Sequence, residues 1–201
     1  MNIKKFRDYF NKTLKKLYPT SEIDTFLFLL LEEYLNFKRI DVVLKSNFEI
    51  SPEDLILLRS STKLLEQEIP IQYILEKTEF YGFPFILNEH VLIPRPETEE
   101  LITSILEKVL KTKTFHTNAK EKQLKILDIG TGSGCIPISL KKSLPFAEIT
   151  AIDVSNEALT IAKKNAVLNK VDINLTQQDI LNTTSLNQLY DVIVSNPPYV
   201  R

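Results

Sequence analysis

Three glycines within five residues interrupt an apolar run at Ile126-Leu127-Asp128-Ile129-Gly130-Thr131-Gly132-Ser133-Gly134. The run is rich in branched residues and reads as a strand. The glycines permit the positive φ angles of a tight turn and carry no side chain to hold a ligand away from the backbone. Their spacing departs from the Gly-x-Gly-x-x-Gly pattern of dinucleotide sites, which favours a different nucleoside ligand. Taken alone, the turn is equally a plain strand-to-helix connection. The rest of the carboxyl-terminal half constrains it further. Strands at 124–129, 148–153, 172–177 and 190–195 frame helices at about 134–144 and 156–168. This alternation predicts an α/β domain built on a parallel sheet.

In a doubly wound sheet the carboxyl ends of neighbouring strands open onto one crevice, where ligands bind. Asp153 ends the second strand, where its carboxylate can accept from two ribose hydroxyls. Asp179 ends the third, where it can accept from an adenine amine while Ile180 packs on the ring. Either aspartate can instead cap the next helix. Both together, in register with Gly130, Thr131, Gly132, Ser133 and Gly134, suit a nucleoside site better than two unrelated caps.

The fourth strand leads to Asn196-Pro197-Pro198-Tyr199 at the same edge. Asn-Pro often marks only a turn, but two prolines and an aromatic make a stiff platform. An amide or aromatic amine nitrogen is a weak nucleophile because its lone pair is delocalised, and methylation makes it positive before a proton leaves. Acceptors fixed at that nitrogen therefore act mainly on the transition state. The Asn196 side-chain oxygen and the Pro197 carbonyl can each take one N–H of a planar NH2, with Tyr199 against its plane. By analogy with an oxyanion-hole donor, each acceptor contributes on the order of 2–4 kcal/mol.

The rest of the chain has a different texture. Ile3, Phe6, Phe10, Leu14 and Leu17 recur at helical spacing, as do Ile23, Phe26, Leu27, Leu30, Leu31 and Tyr34. Ser21 with Asp24 resembles a capping box for the second helix, and Ser51-Pro52 with Asp54 starts a third. These features predict a helical domain over 1–76. Glu79 to Phe83 and Phe85 to Asn88, around Gly82 and Pro84, predict a β-hairpin within a linker at 77–95. Pro94-Arg95-Pro96-Glu97-Thr98-Glu99 then leads into a helix carrying Leu101, Ile102, Ile105, Leu106 and Val109, within a domain spanning 96–201. Lys111 to Gln123 reads as an exposed loop.

The formal net charge of −1 argues against nonspecific nucleic-acid binding, although Lys4, Lys5, Arg7, Lys12, Lys15 and Lys16 crowd the first helix. That cluster is a solvated face or a contact surface for an acidic partner. One cysteine, Cys135, excludes an internal disulfide framework, and two histidines, His90 and His116, offer no metal cluster. With neither a signal peptide nor a membrane span in sight, the expectation is a cytoplasmic, metal-free monomer that binds no nucleic acid directly.

In order, the helical segment, the hairpin, Pro94 to Glu99, the Asp128 to Gly134 turn, Asp153, Asp179 and Asn196 to Tyr199 resemble the HemK/PrmC family. These enzymes methylate the glutamine amide of the Gly-Gly-Gln loop in class I peptide chain release factors. The resemblance implies a Rossmann-like class I fold dependent on S-adenosylmethionine, with an incomplete parallel sheet behind a small all-α bundle and hairpin. It implies that the bundle helps to recognise the release factor and that Asn196 and Pro197 hold the target amide. Adenine amino-methyltransferases of DNA or RNA share the Asn-Pro-Pro-Tyr loop and form the alternative, with a ribosomal protein as a second acceptor. A cofactor-binding fragment without turnover is the non-enzyme reading. The resemblance also leads one to expect further strands after Tyr199, so the fourth strand's edge is expected to stay unpaired, leaving the chain marginally stable and weakly active.

Overall fold

A computed structural model describes residues 1–111 and 123–197. The chain divides into two compact units, Met1–Leu75 and Glu76–Arg201.

The first unit is helical: α1 (Ile3–Leu14), α2 (Thr20–Leu35), α3 (Arg39–Leu44), α4 (Pro52–Glu66) and α5 (Ile71–Ile74). Ile3, Phe6, Phe10 and Leu14 of α1 are buried against Leu27, Leu30 and Leu31 of α2 and Leu58 and Leu65 of α4. Each such side chain, fully buried, contributes roughly 1.5–3 kcal/mol. Ser51 caps α4 as expected, its hydroxyl accepting from the Asp54 amide at 3.0 Å, and Pro52 fills the first turn.

Two expectations for this unit fail. Leu17 lies beyond the end of α1 and is exposed. The Ser21/Asp24 capping box does not form: α2 starts two residues earlier, behind Pro19, and Arg7 pairs with Asp24 at 2.9 Å. A strong cation within reach outcompetes a local backbone amide for that carboxylate.

The second unit opens with the antiparallel hairpin β1 (Lys77–Phe80) and β2 (Phe83–Ile86). Its two-residue turn is Tyr81-Gly82, both at positive φ, as short hairpin turns require. The turn thus comes before the expected break at Pro84, which lies within β2. The hairpin belongs to this unit rather than standing apart. After α6 (Glu97–Lys111) come β3 (Lys125–Ile129), α7 (Cys135–Ser143), β4 (Glu148–Asp153), α8 (Asn156–Leu168), β5 (Asn174–Gln177), a single 3-10 turn (Ile180–Asn182) and β6 (Val192–Ser195). Of the loop predicted at Lys111 to Gln123, residues 112–122 lie outside the described residues.

The sheet is parallel throughout, in the order β5-β4-β3-β6. β3 is central and buried on both faces, which accounts for its apolar Ile126, Leu127 and Ile129. Ile102, Ile105 and Val109 of α6 pack in the same core as Ile136, Ile138 and Leu140 of α7. Among the described residues the outer edge of β6 has no strand partner, and Ile193 is exposed there. Among them too, no helix is long and apolar enough to cross a membrane, and no group of His, Cys, Asp and Glu gathers to hold a metal ion.

Candidate functional site

β3 and β4 run in register from Lys125↔Glu148 to Ile129↔Ile152, and β3 and β6 from Ile126↔Val192 to Ile129↔Ser195. Gly130 follows Ile129 and Asn196 follows Ser195, so the glycine turn and the Asn-Pro loop leave adjacent strands at one edge. Neighbouring strands lie roughly 4.8 Å apart. The Ser195 hydroxyl reinforces the pairing by donating to the Ile129 carbonyl at 2.8 Å.

The glycine turn is held from below. The amides of Gly130 and Thr131 both donate to the Ile152 carbonyl, at 2.9 and 3.0 Å. Gly130, Gly132 and Gly134 all have positive φ, for two separate reasons. A Cβ on Gly130 or Gly132 would meet nothing within 4 Å, so those positions face open space. A Cβ on Gly134 would meet the Ala162 Cβ and Ile138 Cδ1, each at 3.1 Å. Gly134 therefore permits helix packing and begins α7, whereas the other two leave backbone accessible.

Asp153 contributes to both the turn and the crevice. Its carboxylate accepts from the Gly132 amide at 2.8 Å and from the Ser155 amide at 3.0 Å. Two oxygens offer about four acceptor sites, so two remain for a ribose diol. Asp179 lies two residues past β5 and its carboxylate is engaged locally. It accepts from the Leu181 amide at 2.9 Å and the Asn182 side chain at 2.6 Å, the capping alternative, with Ile180 half-buried beside it.

Asp128 is a feature that sequence reasoning passed over. It is 1% exposed, and neither carboxylate oxygen has a hydrogen-bond partner; the buried hydroxyls of Thr131 and Ser133 have none either. Burial pushes the Asp128 carboxyl up to about 7; the nearby Thr131 hydroxyl pulls it back, without a well-formed hydrogen bond, and the charge of Asp153 raises it further. An acid at the centre of an apolar strand was the available signal. Cys135 beside it is an inert thiol, its pKa raised to about 12 by burial.

A second such feature is Asn165, fully buried in α8. Its side chain accepts from the Ile86 amide at 2.6 Å and donates to the Ile86 and Ser133 carbonyls, both at 2.9 Å. One amide thus ties the hairpin to the glycine turn. Nearby, the Asn169 side chain donates to the Pro84 carbonyl at 2.9 Å.

Asn196 is half-buried, and its side-chain nitrogen donates to the Thr98 hydroxyl at 3.1 Å; Pro197 is exposed. Pro198 and Tyr199, the other two expected amide-binding residues, lie outside the described residues. An exposed glycine backbone, an acid with spare acceptor sites, and buried polar atoms lacking partners together fit a nucleoside ligand bearing a polar, cationic tail, as S-adenosylmethionine does.

A parallel sheet with this order, a glycine turn after its first strand and an acid ending its second define a Rossmann-like, class I S-adenosylmethionine-dependent methyltransferase domain. The family model "Methyltransferase small domain" matches residues 103–201, and "PrmC N-terminal domain" matches residues 6–75. A release factor glutamine methyltransferase of Flavobacterium psychrophilum is 49% identical over 201 residues, covering 100% of this chain and 68% of that protein. One of Bacteroides thetaiotaomicron is 37% identical over 193 residues, covering 96% and 66% respectively. One of Lactococcus lactis is 43% identical over 152 residues, covering 76% and 52%. The chain belongs to the release factor glutamine methyltransferase family, and spans about two thirds or less of the length of these relatives.

Proposed function

We propose that the protein carrying this chain transfers a methyl group from S-adenosylmethionine to the side-chain nitrogen of the glutamine in the Gly-Gly-Gln motif of class I peptide chain release factors, as a cytoplasmic monomer. The observation that carries this reading is the Ile129↔Ser195 pairing, which sets Asn196 beside the glycine turn. The names of the relatives supply the acceptor.

S-adenosylmethionine supplies an electrophilic methyl on a sulfonium. Gly130 and Gly132 keep the backbone open to it, with Thr131 and Ser133 between and beside them, and Gly134 seats the turn on α8. Asp153 has acceptor sites that would hold the ribose hydroxyls, and Asp179 with Ile180 would hold the adenine. On the acceptor side, the Asn196 side-chain oxygen and the Pro197 carbonyl take the two N–H groups of the glutamine NH2, with Pro198 and Tyr199 completing the platform. Positive charge develops on that nitrogen as the bond to carbon forms, so these acceptors strengthen in the transition state. The departing proton passes to water.

Transfer of labelled methyl groups to a purified release factor, compared with a ribosomal protein and with adenine-containing oligonucleotides, tests the proposal. Labelling confined to the glutamine of the release factor is the expected result. Labelling of adenine, or of the ribosomal protein alone, would overturn it.

A further inference from the structure

We infer that Thr98 is a positioning residue for methyl transfer, orienting the Asn196 amide so that its oxygen faces the substrate; this rests on the glutamine reading above. Thr98 belongs to the Pro94 to Glu99 segment, for which neither the cofactor cradle nor the amide acceptors provide a use. Its side chain is buried, 6% exposed, in the first turn of α6, and its own amide donates to the Arg95 carbonyl at 3.0 Å. From there its hydroxyl accepts from the Asn196 side-chain nitrogen at 3.1 Å across ninety-eight residues of sequence.

A carboxamide has one accepting and one donating end, and only the accepting end is useful to a target NH2. With its nitrogen held by Thr98, Asn196 leaves its oxygen for the substrate. Rotated by half a turn, it would present N–H to N–H and repel the acceptor. The segment is itself anchored, since the next residue, Glu99, accepts from the Tyr81 amide at 2.8 Å in the hairpin turn. The hairpin turn and the start of α6 thus support the residue that aims Asn196. A hydroxyl removed here leaves the Asn196 side chain chemically intact but lets it swing, which is an error of orientation rather than of binding.

The test compares Thr98→Val, nearly the same shape without the hydroxyl, with Thr98→Ser, which keeps it. Each variant is made in the whole protein that carries this chain. Thr98→Val is expected to lower kcat on the release factor by about tenfold to a hundredfold, with KM and S-adenosylhomocysteine affinity held within about twofold, as for a misplaced reacting group. Thr98→Ser should recover most of the rate. Nitrogen-15 spectra give an answer independent of turnover: the Asn196 side-chain NH2 pair, assigned by its loss in Asn196→Ala, should shift in Thr98→Val and not in Thr98→Ser. Wild-type kcat in the valine variant, equal losses in both variants, or an unmoved Asn196 signal would each overturn the inference. If the valine variant does not fold, Thr98→Ala takes its place with the same outcomes. A wild-type protein that labels no release factor sinks the glutamine reading instead, while the Asn196 signal still decides the role of Thr98.

Discussion

The core of the helical unit and the crevice edge of the sheet are built by opposite rules. In the helical unit the buried polar side chains are satisfied: Ser61 bonds to the Tyr34 hydroxyl at 2.9 Å, and Thr62 donates to the Leu58 carbonyl at 2.7 Å. Around the glycine turn, the side chains of Asp128, Thr131 and Ser133 are just as buried and make no well-formed hydrogen bond. Leaving a buried polar group unpaired costs roughly 1–3 kcal/mol, so a fold retains such groups only where something else is gained. The contrast separates a region selected for packing from one prepared for a ligand.

The largest way to sharpen that contrast is Phe10→Ala in the helical core, which should destabilise the unit by about 3–5 kcal/mol. Denaturant unfolding would measure it, and S-adenosylhomocysteine affinity of the folded protein should not move. At the crevice the effects should fall on function. Asn196→Ala should raise the barrier to transfer by about 2–4 kcal/mol with little change in cofactor affinity. Asp153→Ala should do the reverse, weakening cofactor binding more than turnover. Equal losses of both quantities in both variants, read by calorimetry and single-turnover kinetics, would erase the division of roles.

Asp128 allows a subtler test. Its folded pKa of about 7 lies above its unfolded value, so the folded state binds a proton that the unfolded state has already released. The associated stability is complete below about pH 4 and is lost as pH rises to about 7, with roughly 2–3 kcal/mol of that loss falling between pH 5 and 7. Asp128→Asn should flatten that slope in melts of the ligand-free protein between pH 5 and 8, a window set by the folded pKa. An unchanged slope would mean that another group carries it. The smallest effect expected is Ser51→Ala at the start of α4, about 1 kcal/mol from one lost cap, with the crevice untouched.

The same contrast explains what could be read from the sequence. Elements with a strong period were legible: β4 and α8 fall on the residues expected, and β3, β5 and β6 begin only one or two residues late. The short helices α3 and α5 were not, because four to six residues hold too little periodicity to distinguish them from loop. At the start of α2 the carboxylate of Asp24 is taken by a partner distant in sequence, Arg7. At the site, chain order was enough to bring Asn196 and the glycine turn to one edge, since register follows from alternating strands. It marked Asp128 only as an acid in an apolar strand, not its missing partners, and it could not reveal Thr98 and Asn165, whose contacts span ninety-eight and seventy-nine residues. It also left Asp179 open between ligand and cap, and in the structure its carboxylate is held by its own neighbours.

The Asn165 amide has a consequence in time as well as in space. By gripping Ile86 and Ser133 at once, it makes the final shape of the glycine turn depend on a hairpin encoded far upstream. Contacts between such distant stretches form slowly, after helices and local turns. On refolding from urea, the ability to bind S-adenosylhomocysteine should therefore return with the last phase, well behind the helical signal.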